Sequence, residues 1–487
     1  MSGLGDRVGA ALRLPARRGG RVAVVLTLVL LAVVAGIGVG LSATVLADPV
    51  AAVVPPPPPV VPHPVLRPAL DDGPAPTRAG VSAVLDPLIT AGGLGTLSGR
   101  VLDPATGTVL WQRDPGAALV PGSTAKLLTA SAALLALDHQ ERLHTTVMAG
   151  AEPGTVVLVG GGDPTLSAAS PGTPTGYPGA ARLDDLVDQV RAAARVPVRH
   201  VLVDVSRYTG DALAPGWVPT DVAAGYIAPV EPVMLDGGRA DPSQDISARA
   251  AKPATAAAEE LARRLGADPD TVSVGNASPG AAVLGEVSSP PVQDLVATAL
   301  QRSDNVLAEA LAREVARATG APVSFAGAAE AVLAVLRRHS FDVSGATLVD
   351  GSGLSVDDAV PATLLTELLG AAAAPDRSNA DKAGRSDADV ARRQRTAALR
   401  PLLVGLPVAG GSGTLADRFH GPAGDAGRGW VRAKTGTLTG VNSLAGTVLD
   451  ADGGMLVFAL LSNGPNPVAA RPRLDALAAE LRSCGCH

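Results

Sequence analysis

Three short motifs along the chain contain side chains that could perform an acyl transfer. The first is the Ser-Thr-Ala-Lys sequence at 123–126, in which the hydroxyl of Ser123 and the amine of Lys126 are three residues apart. A serine attacks a carbonyl poorly until a base takes its proton, and a buried lysine with a lowered pKa can be that base. If the segment begins a helix, the two side chains share one face, and the free N–H groups at the helix start can stabilise an oxyanion.

The other two motifs are a Ser-Asp-Asn sequence at 303–305 and a Lys-Thr-Gly-Thr sequence at 434–437. Taken singly, each is an ordinary helix cap or strand edge, just as the serine–lysine pair alone is an ordinary helix start. Together they occur in the order described for class A β-lactamases and penicillin-binding proteins. The combination therefore predicts a serine enzyme that works through an acyl intermediate.

Helices are predicted around the first two motifs. Residues 124–137 are rich in Ala and Leu and form a helix that opens at or just before Ser123. Helical patterns also cover 292–302 and 306–318, and the Ser-Asp-Asn motif breaks the helical region between them. The sequence therefore places the second motif in a turn between two helices.

Strands are predicted at both ends of the folded part. Residues 97–102 and 108–113 alternate as a hairpin, and residues 430–437, 442–449 and 455–462 follow as three more strands. The first of these three strands contains the third motif. Because helices lie between the two groups of strands, we expect one antiparallel five-stranded sheet flanked by helices. This is an α/β fold class in the α+β arrangement.

The stretch 149–283 has a different texture, with short β-type runs separated by many Gly and Pro residues. We therefore predict an inserted, mainly β accessory domain at 149–283, within a catalytic domain formed by 80–148 and 284–487. The insertion falls between the first and second motifs, so that the catalytic domain contributes all three of them.

The N-terminal region predicts export. Residues 1–21 form a basic tail with five arginines, and an uncharged apolar run follows at 22–47. That run is long enough to cross a bilayer, which takes about 20 residues. The basic residues place the tail in the cytoplasm and the rest of the chain outside. We favour an uncleaved membrane anchor over a cleaved signal segment, followed by a Pro-rich linker at 48–79.

The composition excludes nucleic acid as a partner. The 40 basic and 46 acidic residues give a formal charge of −6, which offers no basic field for phosphates. Aromatic residues are 2% of the chain and apolar residues 47%, so Ala, Val and Leu must build the core. The two cysteines, Cys484 and Cys486, are too close together to hold a domain or to form a convincing zinc site.

With the three motifs in this order and setting, residues 80–481 resemble the class C low-molecular-mass penicillin-binding proteins of the D-alanyl-D-alanine carboxypeptidase/endopeptidase family. Further segments similar to those of the family lie at 160–166, 214–217, 288–291, 350–355 and 406–410. The resemblance implies a β-lactamase/transpeptidase-like domain with serine-type D-Ala-D-Ala carboxypeptidase activity. It leaves open whether the enzyme is also an endopeptidase. Its partners would be peptidoglycan stem peptides, and β-lactams would inhibit it covalently. It would need no metal ion and no cofactor.

The resemblance also implies a role for each motif residue. The catalytic residues would be Ser123, Lys126, Ser303, Asn305 and Lys434, and the substrate-binding residues of the third motif would be Thr435, Gly436 and Thr437. Ser123 would be the nucleophile, Lys126 its base, and Ser303 a relay that gives a proton to the leaving amine. Asn305 would orient the peptide and Lys126, while Lys434 and Thr435 would bind the terminal carboxylate. The N–H groups of Ser123 and Thr437 would form the oxyanion hole.

Family members also recognise the diamino acid side chain of the stem peptide from the inserted domain. Asp221 stands at the matching place after the Pro-Gly-Trp segment, with Tyr226 as the aromatic wall of the pocket. The alternative for Asp221 is a solvated loop carboxylate. Val356 departs from the family, in which an arginine often follows the 350–355 segment.

Two other functions remain open on the sequence alone. A β-lactamase would share the motifs and add fast deacylation, and Glu231 lies in a segment that superficially resembles the loop of its hydrolytic glutamate. That segment precedes Ser303, however, which is the wrong order for a class A enzyme. A non-catalytic β-lactam-binding sensor would lack one catalytic side chain, whereas all five are present in this chain.

Overall fold

The computed structural model of the protein describes residues 76–375, 386–464 and 467–485. The predicted basic tail and the apolar run at 22–47 lie outside these residues, as do the predicted linker up to residue 75 and Cys486. Within the described ranges, no helix is long and apolar enough to cross a membrane. The first described helix begins at Arg78, two residues before the expected start of the folded part.

The strands of the described residues are numbered in chain order. They are β1 Thr96–Leu102, β2 Val109–Arg113, β3 Ala118–Leu119, β4 His144–Ala149, β5 Thr155–Val159, β6 His200–Asp204, β7 Ser273–Val274, β8 Val283–Ser288, β9 Val360–Pro361, β10 Arg432–Leu438, β11 Val441–Leu449 and β12 Met455–Asn463.

The α-helices of the same residues are numbered in the same way. They are α1 Arg78–Thr90, α2 Lys126–Ala136, α3 Leu183–Ala193, α4 Pro219–Ala223, α5 Pro253–Leu265, α6 Val292–Gln301, α7 Asn305–Thr319, α8 Phe325–Arg338, α9 Ala362–Ala373, α10 Asp387–Val404 and α11 Pro467–Ser483.

The larger sheet of the described chain joins strands from both of its ends. Its order is β10-β11-β12-β1-β2, and every neighbouring pair is antiparallel. Strand β1 lies beside β12, with Thr96 opposite Asn463, although more than 350 residues separate them in sequence. The predicted five-stranded antiparallel sheet is therefore confirmed. It places the Lys-Thr-Gly motif on the edge strand β10.

Helix α2 is enclosed by other helices and belongs to a core cluster that also contains residues of this sheet. Every residue from Lys126 to Leu134 is buried, as expected for a helix that consists mostly of Ala and Leu. Leu128 belongs to one core cluster with Leu311 of α7 and Val457 of β12. Because the helix is fixed on all sides, Lys126 at its first position is held rigidly.

A second five-stranded sheet occupies the region between the first two motifs. Its order is β7-β6-β5-β4-β8; the pairs made by β4 are antiparallel, and β5, β6 and β7 run parallel. Helices α3 and α5 pack on it and contribute Leu186 and Leu261 to a separate core cluster. Strands β4 and β8 contain the predicted limits 149 and 283, so this sheet spans residues 144 to 288; the domain boundaries themselves stay a prediction.

Candidate active site

The turn before α2 presents Ser123 to Lys126. Residues Gly122–Ala125 form a single 3₁₀ turn, and the α-helix begins only at Lys126. In a 3₁₀ turn the side chains at positions i and i+3 eclipse one another. Lys126 Nζ accordingly lies 2.9 Å from Ser123 Oγ. The sequence predicted a helix start at this point, and the structure adds the tighter turn that brings the two groups into contact.

The ammonium group of Lys126 has three hydrogen-bond acceptors. Nζ donates to Ser123 Oγ, to Asn305 Oδ1 at 2.6 Å and to the carbonyl oxygen of Ser352 at 2.7 Å. The latter two are carbonyl oxygens, which can only accept. When Lys126 loses a proton, its two remaining N–H bonds are used by these two oxygens. Its lone pair then faces Ser123, whose hydroxyl is the one partner of the three that can donate.

Burial tunes Lys126 toward its neutral form. Loss of hydration lowers the pKa of Lys126 from 10.5 to about 8, while the nearby carboxylates Asp350 and Glu309 oppose this decrease. The opposition is limited, because burial raises the pKa of Glu309 to about 8 and leaves it largely protonated at neutral pH. The pKa of Asp358 is also raised, by burial and by the neighbouring Asp350.

The Ser-Asp-Asn motif forms the turn between α6 and α7, as predicted. Ser303 has a φ of +55°, a left-handed conformation that is uncommon for a residue other than glycine. Asp304 caps α7 by accepting a hydrogen bond from Leu307 N at 2.9 Å. Asn305 donates from Nδ2 to the carbonyl oxygen of Tyr226 at 2.9 Å, which leaves its Oδ1 directed at Lys126.

Lys434 brings the third motif to the second. Its Nζ donates to Ser303 Oγ at 2.8 Å and to the carbonyl oxygen of Thr435 at 2.8 Å. Burial, with a further contribution from the charge of Lys126, holds the pKa of Lys434 well below its ordinary value. Lys434 uses a lone pair of the Ser303 hydroxyl, so the hydroxyl proton remains available for another acceptor.

Strand β10 approaches the Ser123 turn so closely that Gly436 has no room for a side chain. A Cβ at Gly436 would lie 2.1 Å from Ser443 Oγ and 2.4 Å from the carbonyl oxygen of Pro121. A Cβ at Gly122 would likewise lie 3.2 Å from the backbone nitrogen of Thr437. The backbone segments that carry the two predicted oxyanion-hole N–H groups are therefore adjacent.

The structure adds site residues that the motifs did not identify. Thr414 Oγ1 lies 2.8 Å from Thr435 Oγ1, beside the predicted carboxylate-binding strand. The carboxyl group of Glu309 accepts from Gly351 N, with its two oxygens at 3.0 and 2.9 Å, and so fixes the loop that presents the Ser352 carbonyl to Lys126. Glu309 is one helical turn after Asn305, and its spacing on α7 is the signal that could have identified it.

The two predicted side-chain recognition residues lie in one turn beside the motifs. Asp221 is partly buried in the short helix α4 and accepts a hydrogen bond from Val218 N at 3.2 Å. Tyr226 is 48% exposed as a whole residue, and its backbone carbonyl oxygen contacts Asn305. Asp221 is linked to this turn because its carbonyl oxygen accepts from Tyr226 N at 2.9 Å. The structure brings the turn to the site, while the roles of both side chains stay predictions.

Two other residues singled out in the sequence are placed by the structure. Glu231 accepts from Ala254 N at 2.7 Å and thereby caps α5 of the inserted region. Val356 is 56% exposed. Within the described ranges, no group of three or more His, Cys, Asp or Glu side chains has the arrangement of a metal site.

Comparison with known proteins gives a family match over most of the chain. A model described as the D-Ala-D-Ala carboxypeptidase 3 (S13) family matches residues 81–246, 240–384 and 388–483. Carboxypeptidase DacB of Mycolicibacterium smegmatis is 48% identical over 416 residues, which are 85% of this chain and 86% of the relative. Carboxypeptidase Rv3627c of Mycobacterium tuberculosis is 47% identical over 424 residues, with 86% and 87% covered.

A solved structure has the same fold at low sequence identity. It is the crystal structure of penicillin binding protein 4 (dacB) from Haemophilus influenzae, with a TM-score of 0.63 and 19% identity. The match covers 83% of this chain and 98% of that chain. The predicted fold class is therefore confirmed.

We predict that acylation of Ser123 follows the protonation of Lys126. With the neutral amine as the predicted base and a pKa of about 8, the rate should fall roughly tenfold for each pH unit below that value and level off above it. Asn305→Asp would place a carboxylate beside Nζ, stabilise the ammonium form and move the midpoint to higher pH. The measurement is the second-order rate of labelling by a fluorescent penicillin as a function of pH.

The control for this prediction is Asn305→Ala, which removes the same amide contact without adding a charge. It should lower the labelling rate but should not raise the midpoint. Equal midpoints for the wild type and Asn305→Asp would mean that Lys126 is not the titrating base.

Proposed function

Because the chain belongs to the D-Ala-D-Ala carboxypeptidase 3 (S13) family, we propose that it is a serine-type D-Ala-D-Ala carboxypeptidase that trims peptidoglycan stem peptides through Ser123. The single observation that carries the proposal is the buried amine of Lys126, 2.9 Å from Ser123 Oγ and oriented by two carbonyl acceptors. This arrangement supplies what a serine nucleophile requires, namely a base with its lone pair directed at the hydroxyl.

Acylation begins when neutral Lys126 takes the proton of Ser123 Oγ. The oxygen attacks the carbonyl of the penultimate D-alanine, and the N–H groups of Ser123 and Thr437 receive the developing oxyanion. As the tetrahedral intermediate collapses, the peptide C–N bond breaks and the leaving amine takes a proton from Ser303 Oγ. The Lys126 ammonium group returns a proton to Ser303, so that Lys126 is neutral again before deacylation. Lys434, which donates to Ser303 at 2.8 Å, holds that hydroxyl in place.

Deacylation releases the shortened peptide. Water adds to the ester carbonyl, its proton passes to the site's base, and the C–O bond to Ser123 breaks as the serine hydroxyl is restored. Endopeptidase action on cross-linked peptides requires the same two steps with a larger leaving amine.

The terminal carboxylate of the substrate is bound by Lys434 and Thr435 on β10. Thr414 Oγ1 lies 2.8 Å from Thr435 Oγ1 and holds the Thr435 side chain in place beside the carboxylate.

Asp221 and Tyr226 recognise the diamino acid side chain in this proposal. The support is their position, because the turn that contains them contacts Asn305 through the Tyr226 carbonyl. Tyr226 is about half exposed, so a ligand can reach it.

Substitution of Asp221 by Asn removes the negative charge of the side chain but keeps its hydrogen-bond acceptor. Asn can still accept the hydrogen bond from Val218 N, so the turn should persist. We expect kcat/KM to fall roughly twofold to fivefold for a peptide with a free side-chain amine, since an exposed charge pair contributes up to about 1 kcal/mol. The matched control is the same peptide with that amine acetylated, for which Asp221→Asn should change nothing; an equal loss with both peptides would contradict the proposal.

We also propose that residues 22–47 anchor the enzyme on the outer side of the cytoplasmic membrane, where peptidoglycan lies. The support is the length of this apolar run and the basic tail before it. The full chain should therefore sediment with membranes and resist extraction by high salt, whereas a chain that starts at residue 48 should not. A full chain found only in the soluble fraction, or one whose mass shows cleavage near residue 47, would contradict the anchor.

A paired assay tests the central proposal. The wild type should release D-alanine from a peptide ending in D-Ala-D-Ala and should be labelled by fluorescent penicillin without rapid turnover, and Ser123→Ala should abolish both. A matched control is Ser131→Ala, which removes a buried hydroxyl of α2 away from the nucleophile. Labelling that survives Ser123→Ala would disprove the nucleophile.

The remaining outcomes separate the other candidate functions. Rapid hydrolysis of penicillin without release of D-alanine would indicate a β-lactamase. Stable labelling with neither hydrolysis nor D-alanine release would indicate a β-lactam-binding sensor.

A further inference from the structure

The middle residue of the Ser-Asp-Asn motif makes contacts that the reaction steps do not use. Its side chain is fully buried, and Asp304 Oδ2 accepts from Arg239 Nη2 at 2.6 Å and from the hydroxyl of Tyr177 at 2.7 Å. Arg239 Nη1 also donates to the Tyr177 hydroxyl at 2.6 Å. The three polar groups therefore form a closed triangle, which we call the Asp304 clamp.

Two members of the Asp304 clamp come from the region inserted between the first two motifs. Tyr177 precedes α3, and Arg239 follows the turn after residue 235. Tyr177 is 1% exposed and the side chain of Arg239 is 3% exposed, so water does not compete for these contacts. A buried charge pair, Arg239 with Asp304, thus joins the inserted region to the second motif.

Asp304 lies between two residues with proposed catalytic roles. Ser303 has the left-handed φ of +55°, which for a serine persists only where the surroundings impose it. Asn305 must keep its Oδ1 on Lys126. One carboxylate oxygen of Asp304 is held by Arg239, and the other accepts from Leu307 N. These contacts fix the backbone at Asp304 and therefore the positions of Ser303 and Asn305 on either side of it.

The inserted region makes a second contact that orients Asn305. Arg249 Nε donates to the carbonyl oxygen of Gly225 at 3.0 Å and so holds the turn that ends at Tyr226. The Tyr226 carbonyl accepts from Asn305 Nδ2, and a carbonyl cannot donate. The amide is therefore fixed in the orientation that presents Oδ1 to Lys126.

We propose that Arg239 and Tyr177 are positioning residues, which hold Ser303 and Asn305 in their reactive geometry by clamping the buried carboxylate of Asp304. The inserted region is in this view part of the catalytic apparatus. The inference rests on the proposed function, because the geometry it maintains is that of the acylation step.

The clamp also has an electrostatic consequence. Asp304 is one of four carboxyl groups that raise the pKa of Lys126, the others being Asp350, Glu309 and Asp358. The positive charges that face Asp304 are Arg239 and Arg249, and Arg239 holds the pKa of Asp304 well below its ordinary value. With Arg239 in place, the negative charge of Asp304 is compensated and acts less strongly on Lys126.

The test compares Arg239→Gln with a matched variant, Arg207→Gln. Arg207 also comes from the inserted region and binds a buried carboxylate of α7, donating to Glu314 at 2.9 and 2.6 Å, but it lies away from the motif. The readouts are the rate of labelling by fluorescent penicillin over a range of pH, D-alanine release, and the melting temperature.

We expect Arg239→Gln to lower the labelling rate on the order of tenfold to a hundredfold and to move the pH midpoint upward, because Asp304 loses its compensating charge. Arg239→Lys keeps the charge but cannot span both partners, so it should keep the midpoint near that of the wild type and still lose rate. Arg207→Gln should lower the melting temperature while leaving the rate within twofold and the midpoint unchanged.

The same rate and midpoint for Arg239→Gln and Arg207→Gln would overturn the proposal. If Arg239→Gln does not fold, Tyr177→Phe decides the question, since it removes one hydroxyl from the Asp304 clamp. A severalfold lower labelling rate at an unchanged melting temperature supports the proposal. An unchanged labelling rate overturns it. Absence of labelling and of D-alanine release in the wild type would instead refute the proposed function.

Discussion

The site depends on one constraint, which is that an amine must be neutral and yet fixed inside the protein. Moving a lysine pKa from 10.5 to about 8 costs the ammonium form of Lys126 roughly 3 kcal/mol, and burial supplies this. Burial alone would leave an unoriented lone pair, so the fold places two carbonyl oxygens around Nζ. The apolar helix α2 provides the burial, while α7 and the 350–355 loop provide the acceptors. Most of the architecture around the motifs can be understood as meeting these two demands.

Much of this architecture could be predicted from the sequence because helices and strands each have a characteristic spacing of apolar residues. The alternation of residues 97–102 and 455–462 predicted strands, and the structure pairs them as β1 and β12. The limits of the inserted sheet were harder to locate. Strand β4 begins at His144 and is short and partly exposed, so its sequence shows little hydrophobic alternation. It belongs to the inserted sheet because it pairs with β5 and β8, and the pairing with β8 joins residues far apart in sequence.

The site was predictable to the extent that it consists of side chains in recognisable motifs. Ser123, Lys126 and Asn305 were identified from sequence, and the structure brings them into contact. The carbonyl oxygens of Ser352 and Tyr226 were not, because every residue has a carbonyl and residue type gives no signal for it. Arg239 was missed for a related reason. Its partners Asp304 and Tyr177 are distant in sequence, and only the folded chain places the three together.

The two buried lysines set a further condition on binding. Lys434 has its pKa lowered by burial and by the charge of Lys126, so in the empty site it does not hold a full positive charge as a surface lysine would. A carboxylate arriving beside Nζ opposes both effects, because an opposite charge stabilises the ammonium form. In the proposed mechanism, binding of the substrate's carboxylate and uptake of a proton by Lys434 are therefore coupled. The positive charge that binds the carboxylate would form only when the substrate is present, and Lys126 would stay neutral as the base.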